Sequence, residues 1–355
     1  MAMSGGVDSS VSAFLMREKY GACKGATMLL FLNEALGISG RHPCCSRENI
    51  VDARAVCDVL GIEHEVIDFM AEFEECVVKK FVSVYESGGT PNPCIDCNRF
   101  MKFGEFLGHA RASGHERIAT GHYARIERDN SGRYLLRKAV DLSRDQSYVL
   151  YMMTQEQLSR TDYPLGGMLK SDVRELAASL GFTNARKHDS QDICFVPDGD
   201  YAGFIEEYTG KVYPPGDFVD ASGNVLGQHK GIIHYTAGQR KGLGVAAKSR
   251  LYVSKIDTAM NTVTLVPESE AGLYTRAIAV SDVNLVAFER LPENFRAGVK
   301  VRYRQKEIQA IVNQTDENEI VIEFAETVRS PAVGQAAVIY DGDYVVGGGT
   351  ISRVL

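Results

Sequence analysis

Three short stretches of this chain hold residue types that could do chemistry. The first is Met3-Ser4-Gly5-Gly6-Val7-Asp8-Ser9-Ser10, where two glycines precede residues that favour helix starts. Apolar residues then recur as Val7, Val11, Phe14 and Leu15, a helical stripe. A glycine turn feeding a helix aims free N–H groups and the positive end of the helix dipole at one spot. That is an anion site, and phosphate is the obvious anion. The second stretch, Thr90-Pro91-Asn92-Pro93-Cys94-Ile95-Asp96-Cys97-Asn98, is a proline-stiffened loop with two cysteines at CxxC spacing. Spacing alone leaves redox activity, half a metal site and coincidence open. The third, Asp189-Ser190-Gln191-Asp192-Ile193-Cys194-Phe195, carries one cysteine beside apolar neighbours, a setting that usually means a small buried hydrophobe.

The elements that must position these stretches alternate strand with helix. Gly25 to Leu32 is a continuous apolar run suited to a buried parallel strand. Arg47 to Gly61 predicts a helix, Glu63 to Asp68 a strand, and Phe73 to Tyr85 another helix. Phe103 to Ala112 predicts a helix, and Arg117 to His122 a strand ending in a turn. This alternation predicts a doubly wound parallel sheet, in which ligands collect at the carboxyl ends of the strands. Only Met1-Ala2-Met3 precede the glycine loop, where a central strand is expected. A missing start, or translation assigned to an internal methionine, is the expectation drawn from that.

Tyr134 to Arg137 and Gln146 to Leu150 continue this domain, and Ser171 to Leu180 predicts an amphipathic helix. Beyond Cys194, Pro214-Pro215-Gly216 and the Gly223 turn open a small mixed segment that runs to about Val266. From Arg276 on, β-branched runs alternate with turns: residues 277–280, 299–303, 308–312, 320–324 and 336–340. Their spacing predicts a small β-barrel. The expected domains are residues 1–205, 206–272 and 273–355.

Composition narrows the class. The 355 residues allow two or three domains, and 45% hydrophobic with 24% charged residues is ordinary for a globular protein. No apolar run approaches a membrane span, and nothing ahead of the loop resembles a signal peptide, so the cytoplasm is the expected compartment. All 8 cysteines lie in the first 194 residues, which disfavours a disulfide scaffold. Adjacent Cys44 and Cys45 make a poor clamp for one ion and read as core or redox bystanders. The net charge of -7 argues weakly against nucleic acid, but local basic groups decide that question. Three such groups exist: Arg125, Arg128, Arg137 and Lys138; His229, Lys230, Arg240 and Lys241; Lys300, Arg302, Arg304 and Lys306. With Tyr235 and Tyr303 available to stack, they tilt toward RNA.

The glycine loop has neither the Gly-Lys-Ser/Thr ending of a P-loop nor the spacing of a dinucleotide fingerprint. SGGVDSS resembles instead the pyrophosphate loop of the PP-loop ATP pyrophosphatases, which cleave ATP between its α and β phosphates. The resemblance sharpens when AMSGGVDSS, GTPNPCIDCNRFMKFG, IATGHYAR, RDQSYVLY, DSQDICF, HYTAGQRKGLG, VRYRQ and VGQAAVIYDG are read in order. Together they are similar to the tRNA-specific 2-thiouridylase family, whose members place sulfur on the wobble uridine of tRNA.

That resemblance implies a PP-loop α/β domain, a small central α+β domain and a C-terminal β-barrel. It implies that Ala2, Met3, Ser4, Gly5, Gly6, Val7, Asp8, Ser9, Met28 and Gly121 bind ATP with Mg2+. It implies that Asn92, Pro93, Cys94, His122, Arg144, Asp145, Gln146, Arg302, Tyr303 and Gln335 contact tRNA. Cys97 is the implied nucleophile and Cys194 the implied persulfide carrier, fed by a sulfur donor protein, with no metal ligand among the site residues. An iron–sulfur cluster on Cys94, Cys97 and Cys194 is the less favoured use of the same residues. Arg99, Lys102, His122 and Lys187-His188 are candidates to keep a cysteine as thiolate. Two rivals remain: another PP-loop enzyme acting on a small molecule, and an inactive tRNA-binding relative.

Overall fold

The computed structural model describes residues 1–32, 47–187 and 193–355. Cys44, Cys45 and His188, with residues 189–192 of the third stretch, lie outside the described residues. The chain divides into two compact units. One holds Met1–Val77, Cys94–Gly199 and Asp343–Val346; the other holds Val78–Pro93, Asp200–Gly342 and Gly347–Leu355.

In the first unit, β1 (Gly25–Leu29) pairs in parallel with β2 (His64–Asp68), and β3 (Ile118–Ala119) pairs in parallel with β6 (Thr161–Asp162). Met1–Met3 fill the position between them. The Ala2 amide donates to Ala119 O at 2.9 Å, while Met3 N–H donates to Ala26 O and Ala26 N–H to Met1 O. The three residues thus act as the short central strand of a parallel layer ordered β2-β1-(Met1–Met3)-β3-β6. The inner strand β1 lies in an apolar run because both faces of such a layer are covered, whereas the outer β2, His-Glu-Val-Ile-Asp, is mostly half-buried or exposed.

Helix α1 (Val7–Tyr20) follows directly, and α2 (Arg47–Leu60) packs beside it. Val11, Ala13, Ala53, Val56 and Cys57 meet in one core with Met1, Met3 and Tyr123. Ser9, Ser10 and Ser12 are buried with Val7 and Val11 of the expected stripe, because α1 is enclosed on more than one side, while Phe14 and Leu15 are half-buried. Full burial of a residue such as Val11 contributes about 1.5–3 kcal/mol. An antiparallel hairpin, β4 (Ala124–Arg128) and β5 (Tyr134–Lys138), extends the unit; Tyr344 and Val345 pair with β5.

The second unit contains a four-stranded sheet and a barrel. Strands β7 (Gly216–Val219), β8 (Val225–His229), β9 (Leu251–Asp257) and β10 (Thr262–Pro267) are ordered β8-β7-β10-β9 around Phe218, Val253, Val263 and Leu265. The barrel uses β11 (Tyr274–Leu285), β12 (Phe295–Lys300), β13 (Ile308–Asp316), β14 (Glu319–Arg329), β15 (Ala336–Asp341) and β16 (Tyr344–Val354). Their order is β11-β14-β13-β12-β15-β16, and β16 returns to pair with β11. Each of the five predicted runs falls on a barrel strand, although of 299–303 only Val299 and Lys300 belong to β12 and the chain turns from Val301. The sixth, β16, went unrecognised because Gly347-Gly348-Gly349 reads as a turn. A Cβ at Gly349 would lie 2.5 Å from Ser281 O, so the glycine permits the close strand approach that shuts the barrel.

Candidate active site

The glycine loop leaves the central strand at Met3 and enters α1 at Gly6, its N-cap. Gly5 has φ +71°, and a Cβ there would also strike the backbone of Asn49. No side chain caps α1, although four residues capable of capping stand there. The serine hydroxyls are turned to other work: Ser9 Oγ and Ser10 Oγ donate to Gly6 O at 2.9 and 3.0 Å, and Ser9 Oγ accepts from the Ser4 amide. No acceptor among the described residues takes the amide hydrogens of Val7, Asp8 or Ser9. The first amides of a helix have no acceptor within it, so an unclaimed row at a helix start is shaped for an anion. Gly121 backs onto this row: a Cβ there would lie 3.0 Å from both Asp8 C and Ser9 N.

Among the other residues implied for ATP, Ala2 bridges Ala26 and Met28 pairs with Ile67 in β1. Met3 and Val7 have buried side chains in the core, so they face a ligand with backbone only. Ser4 is exposed beside the amides.

Sequence reasoning missed three residues around the loop. Lys170, only 7% exposed, reaches both oxygens of the Asp8 carboxylate at 2.7 Å. Tyr123 OH donates to Asp8 Oδ1 at 2.8 Å. Asn184 Nδ2 donates to Gly5 O at 3.1 Å and to Ser10 Oγ at 2.8 Å. Lys187 Nζ meets Asp52 Oδ2 at 2.6 Å and Asn49 Oδ1 at 2.7 Å. Its charge is therefore engaged at α2. The one signal available was the motif reading itself: Tyr123 lies two residues past Gly121, whereas Lys170 and Asn184 are far away in sequence.

The cysteine loop leads into a helical run: Pro93–Asp96 is α-helical, Cys97–Glu105 is π-helical and Phe106–Ala112 is α-helical. π-Turns are rare and often mark functional positions, and Cys97 opens this one. Cys97 is buried and Cys94 exposed; Cys194 is half-buried. Asn98 Nδ2 donates to Val149 O at 2.9 Å, fastening the turn after Cys97. The π segment packs against the short helix Met70–Phe73. Phe195, adjacent to Cys194, sets its ring edge-on to Phe73 with centroids 5.7 Å apart. Both cysteine segments thus lean on one short helix. Burial pushes the Cys57 thiol up to about 11 and raises that of Cys23, consistent with core roles for these two.

His122 does not supply positive charge. It is buried, with Nδ1 2.7 Å from Thr120 Oγ1 and Nε2 3.4 Å from Lys102 Nζ, and the rings of Phe103 and Tyr163 lie against it. Burial, and secondarily Lys102, hold its pKa well below the usual imidazole value. An ammonium can only donate, so Nε2 accepts and the ring proton sits on Nδ1. Below about pH 6.5 the unfolded chain binds a proton that native His122 refuses, so stability falls as pH drops. His64 and His229 shift in the same direction. The expected result is that wild type loses more melting temperature between pH 7.5 and 5 than His122→Gln does. Equal losses in thermal melts would exclude a contribution from His122.

The residues implied for tRNA divide into framework and surface. Asp145 accepts from the Ala139 amide and Ser147 Oγ, and Gln146 Oε1 accepts from the Tyr123 amide at 2.9 Å. Arg144 is half-buried beside them. In the second unit, Gln335 Nε2 donates to Thr90 O and Pro91 O at 3.0 and 2.9 Å, gripping the backbone just ahead of Asn92 and Pro93. Arg302 donates to Ala237 O and Ser330 O, which fastens the 236–240 turn to the barrel. Tyr303, Arg304 and Lys306 are exposed.

Two expectations about basic surfaces need correction. In the first group, Arg137 pairs with Glu127 at 2.6 Å, and Arg125 and Arg137 both reach Asp343. In the second, His229 is buried and Tyr235 is only 4% exposed inside the sheet core, so Tyr235 cannot stack on a base. Each looks available in sequence because neither Asp343 nor the core around Phe218 is near it in the chain. Arg240 and Arg250 do line an open cavity of about 250 Å3 with Gly242 and Gly244.

Fold and site together define a nucleotide-binding domain of the HUP type, with an unclaimed amide row at a helix start, followed by two β-domains. Family models agree: "tRNA methyl transferase HUP domain" matches residues 1–198, "tRNA methyl transferase PRC-barrel domain" 202–267, and "Aminomethyltransferase beta-barrel domain" 275–351. The tRNA-specific 2-thiouridylase MnmA of Acetivibrio thermocellus is 46% identical over 355 residues, covering 99% of this chain and 98% of that protein. Its namesakes in Lachnoclostridium phytofermentans and Clostridioides difficile are 44% and 43% identical, each covered over at least 98% of its length. The chain belongs to the tRNA-specific 2-thiouridylase family.

Proposed function

We propose that this protein is a tRNA uridine 2-sulfurtransferase that consumes ATP. The observation that carries the reading is the unclaimed amide row at Val7–Ser9, set beside Gly121 in a member of this family. Uracil O2 is a poor leaving group. Its attack on the α-phosphate of ATP expels pyrophosphate and turns that oxygen into a good one, as part of AMP. The loop amides stabilise the pyrophosphate charge.

A persulfide on Cys194 then supplies the sulfur. Its terminal sulfur attacks C2, and AMP departs with the former uridine oxygen. The Cys97 thiolate next attacks Cys194 Sγ; the sulfur–sulfur bond breaks, its electron pair stays on the thiouridine sulfur, and a Cys97–Cys194 disulfide forms. A thiol reductant must return two electrons before the next turnover, and a donor protein must reload Cys194. The burial of Cys97 beside the exposed Cys94 suits a resolving group that meets substrate only after binding. Magnesium enters with the nucleotide. Among the described residues no cluster of His, Cys, Asp or Glu forms a ready cage, so phosphate oxygens and water are its expected ligands.

The wobble base has to leave the anticodon stack, a smaller cost in a loop than in a duplex. The test is thiouridine formed on tRNA by the purified protein with ATP and a persulfide donor, counted against AMP and pyrophosphate. Release of ADP and phosphate would rule out adenylation. For the RNA surface, Arg304 is the cleaner probe, since Arg302 is engaged by Ala237 and Ser330. Arg304→Glu should weaken tRNA binding and lower the salt slope by about one, the contribution of one phosphate contact. An unchanged slope would place the RNA backbone elsewhere.

A further inference from the structure

We propose that Lys170 is a positioning residue that, with Tyr123, captures the Asp8 carboxylate and so keeps the first amides of α1 free for phosphate. The proposal rests on the nucleotide reading above and adds residues to it. Asp8 is the second residue of α1, where a carboxylate ordinarily turns back to accept from the leading amides and is favoured by the helix dipole. Left to itself it would cap its own helix and present a negative charge to a polyphosphate. It does neither. Lys170 Nζ bridges both carboxylate oxygens at 2.7 Å, and Tyr123 OH adds a third bond at 2.8 Å.

The captor is fixed at both ends. The backbone amide of Lys170 donates to Asp141 Oδ2 at 3.0 Å, and its ammonium lies 5.7 Å from the centre of the Tyr123 ring. Tyr123 is itself held, because its amide donates to Gln146 Oε1 and it is 2% exposed. A surface lysine paired with an aspartate would mean little. Here the ammonium is buried and the carboxylate adjoins the anion-binding amides, so its neutralisation has a local consequence.

The test is ATP affinity of the full-length protein, measured by titration calorimetry with magnesium present. Lys170→Met should weaken ATP binding by about tenfold or more, since an unpaired carboxylate then competes for the amides. Lys170→Arg should keep affinity within about threefold of wild type, because a guanidinium can still bridge both carboxylate oxygens. Tyr123→Phe should give a weaker loss in the same direction, since its hydroxyl also holds Asp8. If Lys170→Met fails to fold, Tyr123→Phe still decides, because it leaves the buried charge paired. Unchanged affinity in Tyr123→Phe would overturn the proposal and assign Lys170 to the phosphates directly. Unchanged affinity in Lys170→Met would also overturn it. Wild type that binds no ATP would instead remove the nucleotide reading itself.

Discussion

Replacing Cys194 by serine should abolish thiouridine formation, by at least about a thousandfold, while leaving tRNA-dependent pyrophosphate release measurable. A hydroxyl cannot carry a sulfane sulfur, yet in the proposed order of steps adenylation comes first and does not use Cys194. Cys97→Ser should lose turnover to the same degree for a different reason: sulfur can reach C2, but nothing breaks the bond to Cys194. That variant should therefore accumulate tRNA joined to protein through a bond that dithiothreitol cleaves. Cys94 sits exposed on the Pro93–Asp96 turn, and Cys94→Ser should thiolate near-normally. The same experiment separates the persulfide from an iron–sulfur cluster. Stoichiometric iron in anaerobically purified wild type, lost together with activity in Cys94→Ser, would exclude the persulfide pair.

The second large effect is expected at Gly121. Its absent Cβ would stand 3.0 Å from Asp8 C and Ser9 N, both backbone atoms at the start of α1. Those atoms cannot swing aside as a side-chain tip can, so Gly121→Val must push the amide row or the strand end. A displacement near 1 Å at a reacting group costs about a hundredfold in rate. ATP-dependent pyrophosphate release should fall by that order. A Gly121→Val protein that binds ATP like wild type would show that the loop tolerates a neighbour there and that its geometry is looser than this contact implies.

Much of the architecture was legible in residue patterns. The apolar run at β1 and the β-branched runs of the barrel follow from periods that local sterics and burial impose. The helix at Arg47–Leu60 was bounded correctly by Gly61, which stands just past the helix end in the left-handed region. Other boundaries were not legible. The helix expected from Phe103 begins ten residues earlier, at Pro93, because a proline at a first helical position reads equally as a loop. Ser147–Leu150, within the stretch expected only to continue the domain, forms a 3-10 turn. Met1–Met3 are too few to register as a strand, yet flanking strands on both sides supply their hydrogen bonds.

By itself the sequence determined the chemistry on offer: a glycine-to-helix turn, a CxxC on a stiffened loop, a separate cysteine, and a motif order matching one family. These depend on residue types at short spacing, which the chain states directly. Only the tertiary structure decided which charges are spent and which are free. It turned Lys170 and Tyr123 onto Asp8, made His122 neutral, buried Tyr235 and paired Arg125 and Arg137 with Asp343. Each of these depends at least in part on residues distant in the chain, from Phe218 against Tyr235 to Asp343 against Arg125. Desolvation and long-range pairing set the charge state of a group, and neither is written in its neighbours along the chain.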